Sequence, residues 1–326
     1  MRMFPKVHSI IKFVFDKSDL KTIKELNTER IGIVPLYIDV FISKIVYRIE
    51  AKEFFFFSFY NKSHFARRQY VGTRERDKLL RPKNSDEARA ILRSKYRTYE
   101  YFKEFFKREI VKISLPKDVS LLNRFREEHN SFIIKPISST QGKGVIVVDA
   151  ETPSSSLSSL PSGEYVVEEF IKQDKTMASF HPYSVNTIRF VTYYNEGKLN
   201  KLFALIRMGV NGNCVDNTCA GGISAAIDLE HGVIISEAAS QNGNRYFFHP
   251  DTGTQIIGAQ IPQWESLIDL VERLAIKNPS MRVVGWDLAL SEKGWCLVEG
   301  NSLPSFWGIQ IALGRGCRSL LRTLHD

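Results

Sequence analysis

Near the C-terminal end, Gly285-Trp286-Asp287 and Val298-Glu299-Gly300-Asn301 set two acids twelve residues apart and an amide two further on. Val283 to Leu290 is an apolar run that carries Asp287, Gly294 marks a turn, and Trp295 to Val298 is a second apolar run that delivers Glu299 and Asn301. Alternate residues of a strand point to one face, so Glu299 and Asn301 face one way together, and a hairpin brings Asp287 opposite them. Hard oxygen ligands gathered in this way suit Mg²⁺, which takes carboxylates together with phosphate oxygens. Taken alone, the same residues also fit an ordinary hairpin with two solvent-facing acids.

A second feature lies upstream. Ile133-Ile134-Lys135-Pro136 reads as a strand, followed by Ser138-Ser139-Thr140-Gln141-Gly142-Lys143-Gly144, and Val145 to Val148 reads as the returning strand. Small residues let the backbone bend so that several N–H groups point inward, a nest that binds anions without a helix N-terminus. The spacing is neither G-x-x-x-x-G-K-[ST] nor G-x-G-x-x-G between strand and helix. Lys135, at a strand end, is placed to reach a phosphate; a Gly/Ser hairpin turn beside a solvated lysine fits as well. Tyr165 to Ile171 is a further strand, ending in Glu168 and Glu169.

Length and composition bound the answer. A chain of 326 residues with 43% hydrophobic and 25% charged residues has core for two or three subdomains. Cys214, Cys219, Cys296 and Cys317 form no C-x-x-C pair and read as reduced thiols of a cytoplasmic protein. Met1 to Phe4 begins no sustained apolar leader, and no stretch reaches the ~18 apolar residues a bilayer span requires. Residues 1–130 hold 29 Lys+Arg against 17 Asp+Glu, a net of +12, while the remainder holds 16 against 19, a net of −3. A basic first third suits an anionic glycan, a lipid-linked sugar phosphate or peripheral attachment to the inner face of a membrane, and equally a set of solvated helix faces. No zinc spacing or nucleic-acid-binding motif accompanies the charge, which argues against nucleic acid.

The coarse layout places short helical or mobile segments over 1–30. An amphipathic helix is expected over Pro35–Glu50, with Leu36, Val40, Phe41 and Ile45 as its apolar face. A helix over Ser85–Arg97 is capped by Ser85, Tyr99–Arg108 is helical and Val111–Leu115 extended. Leu121–His129 is a short helix. Thr152–Gly163 is a Ser/Pro-rich surface loop, and Trp264–Ile276 is a helix with Leu267, Leu270, Val271 and Leu274 on one face. His249-Pro250-Asp251-Thr252-Gly253 reads as a turn; its histidine either orients a substrate or is structural.

The order of lysine strand, glycine-rich hairpin, V-V-E-E-F-I and D…E-x-N resembles the ATP-grasp superfamily. The wording S-V-N-T-I-R, D-N-x-x-x-G-G-I, H-P-D-T-G, I-P-x-W and G-W-D-x-A-L is similar to the sugar-transfer-associated ATP-grasp proteins, relatives of the glutamate-ligase-type carboxylate–amine ligases. Phe54–Tyr60 with Arg67-Arg68 extends that likeness toward the N-terminus. The resemblance implies an α+β fold in which two α+β subdomains clasp ATP, preceded by a basic, partly helical region. The expected division is 1–84 for that region and 85–326 for the ATP-grasp domain, with about 130–172 clamping the nucleotide and 173–326 binding metal and substrate.

The same resemblance implies residue roles. Lys95 and Lys135 neutralise phosphates, with Lys103 or Lys107 as alternatives to Lys95, whose neighbouring position lacks the family's aspartate. Ser138, Ser139 and Lys143 belong to the loop over the phosphates. The strand end Glu168-Glu169-Phe170-Ile171 receives adenine. The strict ribose position is Lys175, so Gln173 or Asp174 serves instead. Asp287, Glu299 and Asn301 hold Mg²⁺. Arg189, Arg207 and Asn217, with the Gly221-Gly222 backbone, lie near the transferring phosphate and the acceptor carboxylate.

Three departures put the acceptor in question: Gly285 where D-alanine–D-alanine-type ligases carry arginine, Ser302-Leu303-Pro304-Ser305 after E-x-N, and Val215-Asp216 before Asn217. The implied reaction is ATP-dependent amide formation through an acyl phosphate, between a carboxylate-bearing sugar or glycan and an amine or amino acid. A phosphotransferase acting on a sugar or other small molecule, and a non-catalytic nucleotide-binding protein, are the competing readings. The sequence does not set the oligomeric state.

Overall fold

The structure, a computed structural model, describes residues 15–28, 31–137, 144–149, 151–153, 156–157, 159–212 and 221–324. Ser138, Ser139, Lys143, Cys214, Cys219, Val215-Asp216 and Asn217 lie outside the described residues.

The first part is helical: α1 (Lys17–Leu26), α2 (Ile33–Val46), α3 (Ala51–Phe56), α4 (His64–Arg67) and α5 (Thr73–Leu80). Its core is aromatic, with Phe54, Phe55, Phe56, Phe57, Phe59 and Tyr70 buried together. Pro35 sits in the first turn of α2, where its missing N–H costs nothing. Leu36 and Val40 are buried as expected, but Phe41 and Ile45 face solvent. α2 is apolar on both sides, so periodicity alone could not say which side meets the core.

Two helices follow, α6 (Asp86–Arg93) and α7 (Lys95–Phe106). The single helix expected over Ser85–Arg97 is therefore broken at Ser94. The Ser94 N–H closes α6 on the Ile91 carbonyl (3.1 Å), while its hydroxyl accepts from the Arg97 N–H (3.4 Å) to open α7. A serine can stop one helix and cap the next because its side chain replaces a lost backbone partner. Ser85 caps α6 as expected, accepting from the Ala88 N–H at 3.1 Å.

The small sheet gathers β1 (Ile110–Leu115), β2 (Phe132–Pro136), β3 (Ile146–Val148) and β4 (Gly163–Glu169) in the antiparallel order β1-β4-β2-β3, with α8 (Val119–Glu128) against it. It thus takes in β1 and α8 as well as the strands expected from 130 onward. The large sheet follows a short helix, α9 (Lys175–Ala178). It contains β5 (Thr187–Asn195), β6 (Lys198–Met208), β7 (Ile223–Ile227), β8 (Ala238–Ala239) and β9 (Arg245–Tyr246). After α10 (Trp264–Ile276) come β10 (Val283–Ser291) and β11 (Gly294–Asn301), giving the order β11-β10-β5-β6-β7-β8-β9. Helices α11 (Trp307–Leu313) and α12 (Leu320–Thr323) close the chain.

β10 is buried from Val283 to Leu290, as a strand covered on both faces must be. Leu267, Leu270, Val271 and Leu274 of α10 are all buried, so the expected face is the observed one. Each such leucine contributes about 1.5–3 kcal/mol.

The N-terminal helices are joined to this body through buried polar contacts. The Glu53 carboxylate, fully buried, accepts from the Thr73 N–H (2.6 Å), the Thr73 hydroxyl (2.7 Å), the Trp307 indole (2.7 Å) and the Glu50 N–H (2.8 Å). Gln310 of α11 bonds both the N–H and the carbonyl of Val71. A buried carboxylate is tolerable only with its lone pairs occupied in this way.

Candidate active site

The hairpin expected from the sequence is present. β10 and β11 pair antiparallel with Asp287 opposite Glu299 and a bulge immediately after Asp287. On the other side, β5 places Arg189 opposite Asp287, and β6 places Arg207 opposite Thr187. Since alternate residues share a face, one face across four strands carries Arg207, Arg189, Asp287 and Glu299.

The group is closely coupled. Both Asp287 oxygens are engaged by Arg189, with Nη2 at 2.8 Å from one of them, and Arg207 lies 3.3 Å from the same oxygen. Arg207 also donates to the Thr187 hydroxyl at 3.2 Å. Burial opposes ionisation of Asp287, but the two guanidiniums outweigh it and hold the group well below the usual carboxylate range. Glu299 moves the other way: desolvation among the surrounding protein atoms and the Asp287 carboxylate beside it raise its pKa, although its side chain still opens to solvent. Asn301 donates to Glu299 at 3.2 Å.

Gly285 sits where other ligases are expected to carry arginine, and packing explains the glycine. A Cβ there would lie 2.8 Å from Pro304 Cβ and 3.3 Å from Arg189 Cδ.

The small sheet supplies the facing charges. Lys135 on β2 pairs with Glu168 on β4, and Arg108 holds the same carboxylate through Nε (3.0 Å) and Nη2 (2.7 Å). Burial alone would raise the Glu168 pKa; the two cations bring it down to about 2. Lys95, at the start of α7, enters the same field. Its pKa is lowered by burial, with Glu299, Lys135 and Glu168 as its charged neighbours. Of the alternatives, Lys103 lies over the Tyr99 ring and Lys107 donates to the Lys293 carbonyl (3.1 Å). Lys95 is thus the lysine brought to Lys135, in a cluster of five cationic groups (Lys95, Arg108, Lys135, Arg189, Arg207) and three acids (Glu168, Asp287, Glu299). Such a field favours a polyanion.

Beside it, Phe170 and Ile171 line a recess together with Phe106, Arg108, Ser291 and Cys296. The Glu169 N–H is committed to the Glu109 carbonyl at 2.9 Å. Gln173 accepts from the Asn186 N–H, and Asp174 caps α9 by accepting from the Thr176 N–H at 2.8 Å. Both expected ribose residues therefore already serve the local fold.

Arg108 was invisible to sequence reasoning. Its partners lie 60 residues away at Glu168 and 189 residues away at the Leu297 carbonyl, 2.8 Å, and no motif marks it. The His249 turn is structural. His249 is buried, accepts from the Asp251 N–H on Nδ1 and so donates from Nε2 to the Gly209 carbonyl at 2.8 Å. His181 lies beside it, with ring centroids 5.5 Å apart. Burial lowers both pKa values, keeping the pair neutral.

The sequence profile of the family described as sugar-transfer associated ATP-grasp matches residues 153–326, more than half of the chain. The chain belongs to that family. The family match takes in β4 of the small sheet and the whole of the large sheet, and the helical region precedes both sheets. No curated protein matches the chain. Among solved structures, the ATP-grasp ligase PsnB complexed with a phosphomimetic variant of its minimal precursor, Mg and ADP is similar at TM-score 0.46 and 15% identity. That match covers 74% of this chain and 61% of PsnB. N5-carboxyaminoimidazole ribonucleotide synthetase from Thermotoga maritima gives TM-score 0.45 and 12% identity over 77% of this chain and 56% of that one. D-alanyl-alanine synthetase A from Vibrio cholerae O1 gives 0.45 and 13% over 74% and 66%. The chain spans about three-fifths of the length of these proteins.

Proposed function

We propose that the protein is an ATP-dependent carboxylate–amine ligase requiring Mg²⁺. The observation that carries this reading is that Lys95 has both Lys135 of the small sheet and Glu299 of the large sheet as charged neighbours, while Glu299 stands opposite Asp287 with Arg189 and Arg207 on the same face. ATP would lie with its base in the recess at Phe170 and Ile171, meeting the Glu169 carbonyl because the N–H is already used. Its phosphates would reach Lys95 and Lys135, and Ser138, Ser139 and Lys143 belong to the segment proposed to cover them.

The donor set fits a divalent cation. Asp287 and Glu299 stand opposite each other with Asn301 bonded to Glu299, and an ion held there would offset the desolvation and the Asp287 repulsion that raise Glu299. When bound, Mg²⁺ supplies positive charge to the phosphate oxygens.

The acceptor carboxylate attacks the γ-phosphorus and ADP departs, leaving an acyl phosphate. An amine then attacks the acyl carbon, phosphate leaves, and the amine proton passes to solvent. Joining two anions needs cationic neighbours, and Arg189 and Arg207 offer planar donors suited to carboxylate and phosphate. Arg189 is held against Asp287 in its resting position, so ion binding at Asp287 would free its outer donors. Asn217 is assigned beside the acyl phosphate by the same reading.

The family description associates the group with sugar transfer, which supports a uronic-acid-containing polysaccharide or its precursor as the carboxylate substrate and an amino acid or amine as its partner. The free, buried Cys296 and Cys317 suit a reducing compartment such as the cytoplasm.

The test is ADP release from Mg²⁺-ATP across free and nucleotide-linked uronic acids, with and without pooled amino acids, followed by product mass. ADP formation that needs both a carboxylate and an amine, with a product equal to condensation minus water, is the expected result. A phosphate-sized mass gain without amine would replace the ligase reading by a kinase.

A further inference from the structure

We propose that the solvent face of α2 is a docking surface for a lipid bilayer rich in anionic headgroups. This inference is independent of the ligase reading.

α2 carries two charged residues, Asp39 and Lys44, and both turn inward. Asp39 pairs with Arg67, and Lys44 with Asp19 and Glu50. What remains outside is apolar. Val34, Ile38, Phe41, Ile42, Ile45 and Val46 are between 39% and 67% exposed. At 100° per residue they form one stripe along a helix of about 21 Å. The opposite side, with Leu36, Tyr37 and Val40, is buried in the protein. A helix apolar all round is ordinarily covered on every side, and a continuous exposed stripe of this kind marks an interaction surface. Phe65, 76% exposed, stands on α4, which is fastened to α2 by the Arg67–Asp39 pair.

Charge selects the occupant. Among the described residues between 15 and 84, nine Lys or Arg are exposed, including Lys17, Lys21, Arg48 and Arg68, against two exposed acids, Asp16 and Glu25. The other acids of this region, such as Asp19, Asp39 and Glu53, are turned inward to partners. An apolar stripe on a helical region whose exposed charges are mostly cationic matches a bilayer surface on both counts, with acyl chains for the stripe and anionic headgroups for the lysines and arginines. A second copy of the chain would bring the same excess of exposed cations, which opposes self-association. No helix among the described residues is long and apolar enough to cross a membrane, so the helix lies on the surface.

The experiment is co-sedimentation of the full chain with vesicles of phosphatidylcholine, with or without roughly one-third phosphatidylglycerol, read without ATP. Binding to the anionic vesicles is expected, weakened several-fold when salt rises from about 0.1 M to about 0.5 M. Ile38→Glu combined with Ile45→Glu should reduce binding about tenfold or more and leave the melting temperature unchanged, because both side chains are already in water. Should the charges disturb the helix, Ile38→Ser with Ile45→Ser provides the same reading. Equal binding by the variants, or no binding of the parent to either vesicle, overturns the proposal. So does a parent that is dimeric in light scattering and monomeric as the variant. A large fall in melting temperature for the serine pair would show that the stripe is already covered by protein and overturn it equally.

Discussion

The cleft and the N-terminal helices invert the ordinary distribution of side chains in opposite senses. In the cleft, Asp287 and Glu168 are buried charges, each held by two cations. On α2, isoleucines and a phenylalanine stand in water while the helix's two charges turn inward. Burying ions costs desolvation free energy that only close, multiple partners offset, and exposing apolar surface forgoes the main stabilising term of folding. The lesson is that each inversion marks a place where the fold is arranged for something besides its own stability: a polyanion in one case, a surface in the other.

The largest effect that can break this contrast is at Asp287. Asp287→Asn removes a proposed ion ligand and the partner of two arginines, so turnover should fall by at least about 10²-fold, read as ADP release at saturating Mg²⁺. Retained turnover would remove Asp287 from the reaction. Glu168→Gln comes next. It leaves Arg108 and Lys135 without their carboxylate and should cost about 3–5 kcal/mol in urea unfolding.

The Glu168 carboxyl also sets a pH dependence. Its folded pKa of about 2 lies below the ordinary 4.5, so its stabilisation is complete above pH ~4.5 and is lost as pH falls toward about 2. Unfolding free energy measured over that window should be steeper for the parent than for Glu168→Gln.

The two faces of α2 give a matched pair. Leu36→Ala on the buried face should cost about 2–5 kcal/mol, whereas Ile45→Ser on the exposed face should change stability by no more than about 0.5 kcal/mol. Between these two lies Ser85→Ala, which removes the α6 cap and should cost about 1 kcal/mol.

Much of the cleft was legible because its parts are written locally. The β10–β11 hairpin follows from two apolar runs and Gly294, but plain alternation from that turn would set Asp287 opposite Val298; the bulge after Asp287, which no residue pattern announces, shifts the pairing to Glu299. Lys135 announces itself by ending a strand before a Gly/Ser segment. Lys95 was named only by resemblance, since nothing within α7 marks it, and its neighbours Glu168 and Glu299 come from two different sheets. Arg108 and the His181–His249 pair were not legible at all, because their partners are distant in sequence and are supplied by tertiary contact. The expected ribose residues, Gln173 and Asp174, stand beside the strict family position at Lys175, and each also makes a local bond, Gln173 to the Asn186 N–H and Asp174 to the Thr176 N–H. The break at Ser94 was missed because a serine inside a helical pattern looks like any other polar surface residue until its hydroxyl finds the next turn.

Arg108 stands between β1 and α7 with one set of donors on Glu168 of the small sheet and another on the Leu297 carbonyl of the large one. A rigid planar group bonded to both sheets pins one point of each to the other. At that corner the guanidinium opposes sliding of one sheet along the other, because any slide would break a charge-assisted bond on one side or a carbonyl bond on the other.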